Sequence, residues 1–498
     1  MSVYLIVIVA YFTLVTLVSV LTKKVASRSA ADYLVAGRNL GLIACAVVVA
    51  AEWLGGMSTI GVSEKAFKSG TMQPILYNIS TAVGMIIIGF TVASHYRKNN
   101  VHTVSEMIET IFGKKSRNVS AIAFLFAYIV LAFVQLQTCS SVIATLFAPE
   151  LSSLAGVSWL PGDEWFWAVL LSSFVITIYT YIGGMHALAI TGMIHVVAMF
   201  AGLGIATVIG LNEVDGFSSL HTRMVELGSP ENLWNPFSGG LSYAWMLILG
   251  GVLGGMAGQA SIQPIFAARD VSTARRAAVL SAFIIAPFGI MVAVLGLIAR
   301  TGQFFDTASV NAKMVLPTLM TTPEFIHPIL GGLALAGILA AILSTVGPVN
   351  FAVVTIATKD IYHGIISPGA LDQKIISTAR RLVILVNLFT IPLAYFGKDG
   401  AILDTAYISY GIRAIGAIVI LMGIYTSGWV TQRGVRAAFI GGTIAVILNI
   451  IAKKMGYFTI EDTYVAVAAT VIIMLADFLL TRRNKDGSEI LPGKTKNL

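Results

Sequence analysis

The sequence predicts an all-α integral membrane protein of about thirteen transmembrane helices. Its core consists of two five-helix repeats of opposite orientation, with one helix before them and two after them. Of the 498 residues, 57% are hydrophobic and only 11% are charged, which is typical of a chain surrounded by lipid. About thirteen apolar segments approach the ~20 residues that a helix needs to cross the hydrocarbon core. The second and the seventh of these segments are interrupted by glycine in the same way.

The predicted spans and the charges between them define an orientation. A segment that begins with Met1 and has no basic residues before its apolar stretch is not typical of a cleavable signal peptide. If the N-terminus lies outside, roughly three quarters of the basic residues fall on inside loops and the tail, as the positive-inside rule requires. We therefore expect a multi-pass protein of a prokaryotic plasma membrane, with the N-terminus outside and the C-terminus in the cytoplasm. The spans are predicted near 3–22, 41–67, 72–95, 118–147, 164–182, 187–211, 241–265, 275–299, 328–358, 379–396, 401–425, 435–452 and 461–481.

The positions of the two interrupted segments indicate an inverted repeat. They lie five segments apart, and because five is odd, the two five-helix units cross the membrane in opposite directions. The predicted organisation is a leading helix with a cytoplasmic loop (1–40), a first repeat (41–212), a second repeat (241–425), two C-terminal helices (426–481) and a cytoplasmic tail (482–498).

The interruptions themselves predict where ligands bind. One spans Glu52–Gly61 and the other Gly250–Gln259. Glycine-broken helices in corresponding positions of two halves are the best sequence indication of a transporter's binding site. A broken helix leaves main-chain carbonyl and amide groups at membrane depth, where water cannot satisfy them. Another helix, an ion or a substrate must therefore do so.

Adjacent hydroxyl residues in the ninth segment, Ser344 and Thr345, could complete such a site. Hydroxyls on an apolar helix often bond to carbonyls of the preceding turn, which is a purely structural role. The alternative is that they bind a hard monovalent cation, because such ions prefer oxygen ligands. Carbonyl oxygens of Ala51 and Leu54 would then contribute from the unwound backbone.

Five motifs resemble those of the sodium:solute symporter family, and jointly they extend over roughly residues 30–430. They are Gly37–Leu40, Gly55–Gly61, Tyr179–Leu188, Gln259–Arg275 and Gly331–Tyr362. The resemblance implies a leucine-transporter-type fold and sodium-driven uptake, and it favours the cation role of the two hydroxyls. The sodium site that it implies consists of Ala51, Leu54, Ala341, Ser344 and Thr345.

The fifth core helix departs from the family pattern. The family commonly has Thr-Asp and then Gln there, whereas this chain has Thr191-Gly192 and His195. Because the intramembrane Asp is missing, the sequence gives no basis for assigning a second sodium site. His195 is either a proton-responsive replacement or a packed, hydrogen-bonded core residue.

Two charged residues fall within the predicted substrate path, Glu52 beside the first break and Arg413 midway along the eleventh span. A buried carboxylate must pair, neutralise or face a cavity. The two residues could form a structural or gating ion pair, or each could meet one end of a substrate; Asp404 is an alternative partner of Arg413. The predicted substrate-binding residues are Glu52, Trp53, Gly55, Gly56, Gln135, Gln259, Tyr407 and Arg413.

Taken together, these observations predict sodium-coupled symport of a small organic solute by alternating access, with Na+ as the coupling ion. The charges favour a carboxylate or a zwitterion such as an amino acid. The alternative is a proton-coupled carrier of the same fold that uses Glu52 or His195. We expect a monomer in the lipid bilayer. No basic stripe with interleaved aromatic residues suggests nucleic acid, and no metal cluster or Ser/His/Asp pattern suggests an enzyme.

Overall fold

The computed structural model describes residues 3–26, 39–99, 101–157, 162–426, 429–457 and 460–483. The α-helices are α1 (Val3–Ala26), α2 (Leu42–Trp53), α3 (Val62–Ser69), α4 (Leu76–Phe90), α5 (Ala93–Lys98), α6 (Val104–Phe112), α7 (Lys114–Leu146), α8 (Ala148–Ala155), α9 (Glu164–Glu213), α10 (Gly216–Glu226), α11 (Leu241–Met256), α12 (Gln259–Phe266), α13 (Val271–Arg300), α14 (Val315–Thr321), α15 (Pro328–Thr355), α16 (Asp372–Phe396), α17 (Ile402–Tyr425), α18 (Gln432–Lys454) and α19 (Asp462–Arg483). Short π-helices span Met57–Gly61 and Ile356–Ile366, and 3-10 turns span Gln73–Ile75 and Ala312–Met314.

The helices confirm the predicted all-α membrane class. Within the described residues, nine helices are long and apolar enough to cross a membrane, or up to eleven if each bent pair is one span. The first predicted span corresponds to α1, whose apolar stretch, Val3–Val18, is shorter. The predicted spans 164–182 and 187–211 both lie in α9, which continues as one helix where a loop was expected. No proline interrupts that stretch, and glycine alone weakens a helix by only about 1 kcal/mol.

Some predicted features lie outside the described residues. These are Gly37 and Arg38 of the motif before the first core helix, and the tail from residue 484 onward. The side chains of 182–189 are also outside them, although their backbone belongs to α9.

The two glycine interruptions break their helices, as predicted. The axis turns by 55° between α2 and the segment that begins at Met57, and by 40° between α11 and α12. In the second case α11 ends at Met256 and α12 begins two residues after Ala257, at Gln259. Each break leaves main-chain groups without helical partners.

Long helices enclose both breaks. α15 packs against α9, α7 and α2, and its residues from Ala334 to Thr355 are buried. α17 packs against α11, α7 and the π-helix at Met57–Gly61, and α13 packs against α2, α3 and α4. The first break therefore faces α15 on one side and α17 on another, and both helices direct polar side chains towards it.

Candidate functional site

The main-chain carbonyls at the end of α2 accept hydrogen bonds from hydroxyl groups. The Ser344 hydroxyl donates to the Ala51 carbonyl (2.7 Å), and the Thr345 hydroxyl donates to the Glu52 carbonyl (2.6 Å). The Trp53 carbonyl accepts a hydrogen bond from the Ser58 hydroxyl (2.8 Å). α15, in the second repeat, thus supplies partners that the broken helix of the first repeat cannot supply for itself.

The Leu54 carbonyl is different, because no described residue donates a hydrogen bond to it. Leu54 has φ −84° and ψ 47°, outside the helical region, and its own N–H bonds to the Ala50 carbonyl. Buried carbonyls are rarely left unpaired in native proteins. An unpaired carbonyl within three residues of carbonyls that two hydroxyls contact is an arrangement that suits a small cation.

Four of the five predicted sodium ligands lie on the facing helices α2 and α15, and the fifth, Leu54, directly follows α2. The Ser344 hydroxyl also approaches the Ala341 carbonyl (2.8 Å), and the Thr345 hydroxyl lies 3.5 Å from the Ala51 carbonyl. The oxygens of these four residues are therefore linked to one another, and the Leu54 carbonyl lies three residues from Ala51. All of these donors are neutral oxygens, which are the ligands that a hard monovalent cation accepts.

The paired glycines allow this close approach. A Cβ atom on Gly55 would overlap the Thr345 side chain, and one on Gly56 would overlap the Thr138 side chain of α7. Gly56 has φ −58°, which any residue can adopt. At this position the physical requirement is therefore space between helices and not backbone freedom.

The position of the missing family Asp is next to this site. A Cβ atom on Gly192 of α9 would lie 3.5 Å from the Cβ atom of Ala51. His195 is fully buried one turn further on, where its Nδ1 contacts the Tyr11 hydroxyl and its Nε2 lies 3.1 Å from the Tyr179 hydroxyl. Both ring nitrogens are thus engaged, which favours the packed, hydrogen-bonded alternative for this histidine.

Glu52 and Arg413 are both buried, with 7% and 2% of their surfaces exposed. They do not form the ion pair that was one of the two predicted alternatives: none of the ion pairs among the described residues joins them. Asp404 is not the partner of Arg413 either, since it pairs with Lys65 (3.2 Å) and accepts a hydrogen bond from Tyr243 (2.7 Å). Asp404 is separated from Arg413 by more than two helical turns along α17, too far for a side-chain contact.

Arg413 instead lies among aromatic rings. Its guanidinium carbon is 4.7 Å from the ring centroid of Tyr410, 5.4 Å from that of Tyr128 and 5.7 Å from that of Trp53. Such contacts stabilise a cation by about 0.5–2 kcal/mol each. They leave the donors in the guanidinium plane available for an acceptor.

Unpartnered polar atoms surround this cation. Among the buried atoms that no described group bonds are Nε and Nη2 of Arg413, Oε2 of Glu52, Nε1 of Trp53 and Nε2 of Gln135. Each such atom loses a few kcal/mol relative to water unless something bonds to it. A polar ligand between α2, α7 and α17 would satisfy them together.

The second break shapes the opposite wall. Cβ atoms on Gly250, Gly254 and Gly258 would overlap side chains of α17. Tyr407 and Tyr410 stack there with ring centroids 4.8 Å apart, and the Tyr407 hydroxyl donates to a carbonyl of α11 (2.9 Å). The glycines of α11 therefore admit the aromatic face of α17 into the site.

Gln259 does not belong to this site, contrary to the prediction. Its amide nitrogen donates to the His102 carbonyl (2.9 Å) and its amide oxygen accepts from the Val104 N–H (2.8 Å). Both ends of the side chain are thereby used to hold the start of α6 against α12.

The start of α6 is part of a charged cluster at one end of the site. Arg117 contacts Asp360 (2.9 Å), Glu109 (2.6 Å) and Glu106 (3.3 Å). The Thr103 hydroxyl donates to Asp360 as well (2.9 Å). This group of residues, the Asp360 cluster, connects the π-helix that follows α15 to α6 and α7.

Two further residues of the site were not predicted, Tyr128 and Tyr77. The Tyr128 hydroxyl accepts a hydrogen bond from the Ala260 N–H (3.0 Å), and the Tyr77 hydroxyl lies 3.0 Å from that of Tyr410. Tyr128 is seven residues before Gln135, so both lie on one face of α7. That spacing could have identified it, whereas nothing in the sequence distinguishes Tyr77.

This architecture, with two broken helices and unbonded buried polar atoms beside them, is that of a secondary transporter. The chain belongs to the sodium:solute symporter family, whose sequence profile matches residues 33–445. The protein is therefore a sodium-coupled solute symporter and not an enzyme, which confirms the family resemblance. Membership of this family also favours sodium over the proton as the coupling ion.

Curated relatives show similarity over nearly the whole chain. The chain is 25% identical to the sodium/proline symporter of Salmonella typhimurium, over 84% of this chain and 82% of the relative. It is 24% identical to the osmoregulated proline transporter OpuE of Bacillus subtilis (94% and 93%). It is also 24% identical to the sodium/glucose cotransporter of Vibrio parahaemolyticus (93% and 87%).

Solved structures support the leucine-transporter-type fold. A sodium-coupled sialic acid symporter in a substrate-bound, outward-open state superposes with a TM-score of 0.77 at 17% identity, covering 96% of this chain and 97% of that one. A nucleobase-cation-symport-1 family transporter in a closed conformation gives a TM-score of 0.58 at 14% identity, with 93% and 98% covered.

Proposed function

We propose that this protein takes up a small zwitterion or carboxylate, such as an amino acid, by sodium-driven alternating access. One observation carries the choice of substrate. Glu52 and Arg413 are buried together in the site, yet each keeps a polar atom that no described group bonds. A substrate carboxylate suits Arg413, because a guanidinium binds it through parallel hydrogen bonds. A substrate amine suits Glu52.

The relatives alone do not choose the substrate, since their names include carriers of proline and of glucose. A sugar would satisfy hydrogen bonds but would leave two opposite buried charges without ionic partners. Replacing water by neutral groups around a buried charge is unfavourable by several kcal/mol. The two charges therefore favour a ligand with charges of its own.

Sodium is proposed to bind between α2 and α15, to the oxygens of Ala51, Leu54, Ala341, Ser344 and Thr345. These ligands join the two repeats, so an ion there would stabilise the arrangement in which the substrate residues are assembled. One charge crossing ~100 mV releases ~2.3 kcal/mol, and a tenfold gradient adds ~1.4 kcal/mol. The sum of ~3.7 kcal/mol supports roughly 500-fold accumulation of a neutral solute for each ion.

The proposed topology has the N-terminus outside and the C-terminus in the cytoplasm, and the protein acts as a monomer. The Asp360 cluster then lies on the cytoplasmic side. Its ion pairs would hold that side closed while the substrate enters from outside.

Thermal unfolding of the purified protein with a panel of solutes, each with and without sodium, tests the proposal. We expect amino acids to raise the unfolding temperature only in sodium, and neutral sugars to have no effect. Arg413→Gln should abolish the response to amino acids. Glu52→Gln should weaken the response to amino acids while a carboxylate without an amine retains its effect. Stabilisation by a sugar, or by amino acids equally in sodium and in choline, would contradict the proposal.

A further inference from the structure

A groove of about 680 Å³ lies where the starts of α2 and α13 meet the end of α4. Ser272, Arg275 and Arg276 line it on the side of the first turns of α13. Val279 and Phe283 line it further along the same helix, and Phe90 closes it from α4. None of the proposed substrate-binding residues lines this groove.

The lining residues of α13 form one amphipathic face. Ser272, Arg275, Arg276, Val279 and Phe283 are separated by intervals of three, one, three and four residues, which place them on one side of the helix. From Arg276 to Phe283 this face extends ~10 Å, at ~1.5 Å per residue. The groove is therefore polar and cationic at one end and apolar at the other.

The apolar end faces outward. Phe90 is 67% exposed and Phe283 is 70% exposed, and both lie on helices long and apolar enough to cross the membrane. Large exposed aromatic side chains on such helices contact lipid, because in the bilayer the surrounding medium is hydrocarbon. An acyl chain can therefore enter the groove from the side.

The cationic end has unused hydrogen-bonding capacity. The Nε atom of Arg275 donates to the Gly89 carbonyl (3.2 Å), which fixes the guanidinium at the end of α4. Arg276 is exposed, and no described side chain forms a hydrogen bond or an ion pair with it. None of the described residues that line the groove is acidic. A second groove with an arginine pair, Arg433 and Arg436, differs in that Asp477 lines it.

We propose that the groove between α2, α4 and α13 binds an anionic phospholipid of the bilayer. The phosphate contacts the guanidinium groups of Arg275 and Arg276, and one acyl chain lies along Val279 and Phe283. Guanidinium groups bind phosphate oxygens through two parallel hydrogen bonds, and basic pockets between transmembrane helices are typical sites for anionic headgroups. Because Leu42, the first residue of α2, also lines the groove, a bound lipid contacts the helix that leads to the first break.

Photocrosslinking tests the proposal. The intact protein is placed in phosphatidylcholine nanodiscs that contain a trace of phosphatidylglycerol with a photoreactive acyl chain, and crosslinked peptides are mapped. We expect labelling of the segment that contains Val279 and Phe283, and loss of this labelling on competition with unlabelled phosphatidylglycerol. Excess phosphatidylcholine should leave it unchanged.

Matched variants separate the site from general lipid contact. Arg275→Gln with Arg276→Gln should lose most of the labelling, whereas Arg433→Gln with Arg436→Gln, which removes the same charge, should retain it. Unfolding temperatures measured in pure phosphatidylcholine test whether both variants are folded, and we expect both to unfold at the temperature of the unchanged protein. Phosphatidylglycerol should then raise the unfolding temperature of the unchanged protein and of the second variant only.

Three outcomes would overturn the inference. One is equal labelling in both double variants. Another is competition by phosphatidylcholine as effective as that by phosphatidylglycerol. The third is competition by soluble glycerol 3-phosphate at equal concentration, because this would assign the groove to a free phosphate compound and not to a lipid.

Discussion

Thr345→Val is the sharpest test of the ion site. Valine has nearly the shape of threonine, so the contact of this side chain with Gly55 is retained and only the hydroxyl is lost. The Thr345 hydroxyl has one proton and two lone pairs. In the structure its proton is directed to the Glu52 carbonyl (2.6 Å), which is not one of the proposed ligands. That hydrogen bond can therefore exist with or without sodium. Its loss changes the free energy of the sodium-bound and the sodium-free protein alike.

The remaining effect is the loss of contact between the hydroxyl oxygen and the ion. A hydrogen bond to a charged group contributes about 1.5–3 kcal/mol, and we take about 2 kcal/mol as the corresponding value for a hydroxyl ligand of sodium. Since 1.4 kcal/mol is a factor of ten, the sodium concentration for half-maximal uptake should rise roughly 30-fold.

Ser344→Ala should raise the sodium concentration for half-maximal uptake less than Thr345→Val does, because of the hydrogen bonds that the Ser344 hydroxyl makes. The Ser344 hydroxyl bonds to the carbonyls of Ala51 and Ala341 (2.7 and 2.8 Å), and both are proposed ligands. Sodium must compete with this hydrogen bond, and alanine removes the competitor together with the ligand. If removal of the competing hydrogen bond recovers about 1 kcal/mol of the about 2 kcal/mol lost with the ligand, the net loss is about 1 kcal/mol. The sodium concentration for half-maximal uptake then rises only roughly fivefold.

The assay is uptake of radiolabelled substrate into proteoliposomes over a range of sodium concentrations, at fixed membrane potential. Thr345→Ser is the control, because it retains the hydroxyl. An unchanged sodium dependence of Thr345→Val would remove this hydroxyl from the site. A larger effect of Ser344→Ala than of Thr345→Val would refute the assignment of the protons.

Three further changes test other parts of the structure. Gly55→Ala should abolish uptake, because its methyl group would overlap a side chain of α15; uptake at the normal rate would refute the space argument. Asp360→Asn removes a buried partner of Arg117, so amide hydrogen exchange in 102–109 should become faster by about tenfold or more; unchanged exchange would show that the cluster does not hold α6. Burial would raise the pKa of Glu106, but hydrogen bonds from His102 and the charge of Arg117 outweigh it and lower the pKa from 4.5 to about 2. Its stabilising contribution is thus present above pH 4.5 and is lost as the pH falls towards 2; the stability difference between the protein and Glu106→Gln should shrink over this range, and a constant difference would contradict the assigned contacts.

The contact between the first break and the hydroxyls of α15, where sodium is proposed to bind, could be predicted in outline from the sequence. The glycines at 55 and 56 showed where α2 breaks, and the family motif around Ser344 and Thr345 supplied the facing hydroxyls. The resemblance was needed, because adjacent hydroxyls on an apolar helix have a common structural role. No local pattern indicates that α15 lies beside α2, since the two are separated by nearly three hundred residues.

The substrate site was predictable only in part. Glu52 and Arg413 were identified because buried charges are rare in membrane segments. Their mutual arrangement depends on the rotation of α2 and α17 about their axes, which sequence does not give, so the ion pair and the separate substrate contacts were both open. The ion pairs among the described residues do not include one between Glu52 and Arg413. Gln259 was misplaced for a related reason: its position on a broken helix was known, but not the direction of its side chain, which points to α6.

The hydroxyl groups at the end of α2 have a consequence for the empty carrier. After sodium and substrate have been released, the carrier must change back to its outward-open conformation while the proposed ligand carbonyls hold no ion. In that state the hydroxyl proton of Ser344 can pair with the Ala51 or the Ala341 carbonyl, while the Leu54 carbonyl has no such partner among the described residues. The site therefore keeps part of its polar surface paired when it is empty, which lowers the free-energy cost of the return to the outward-open conformation without sodium.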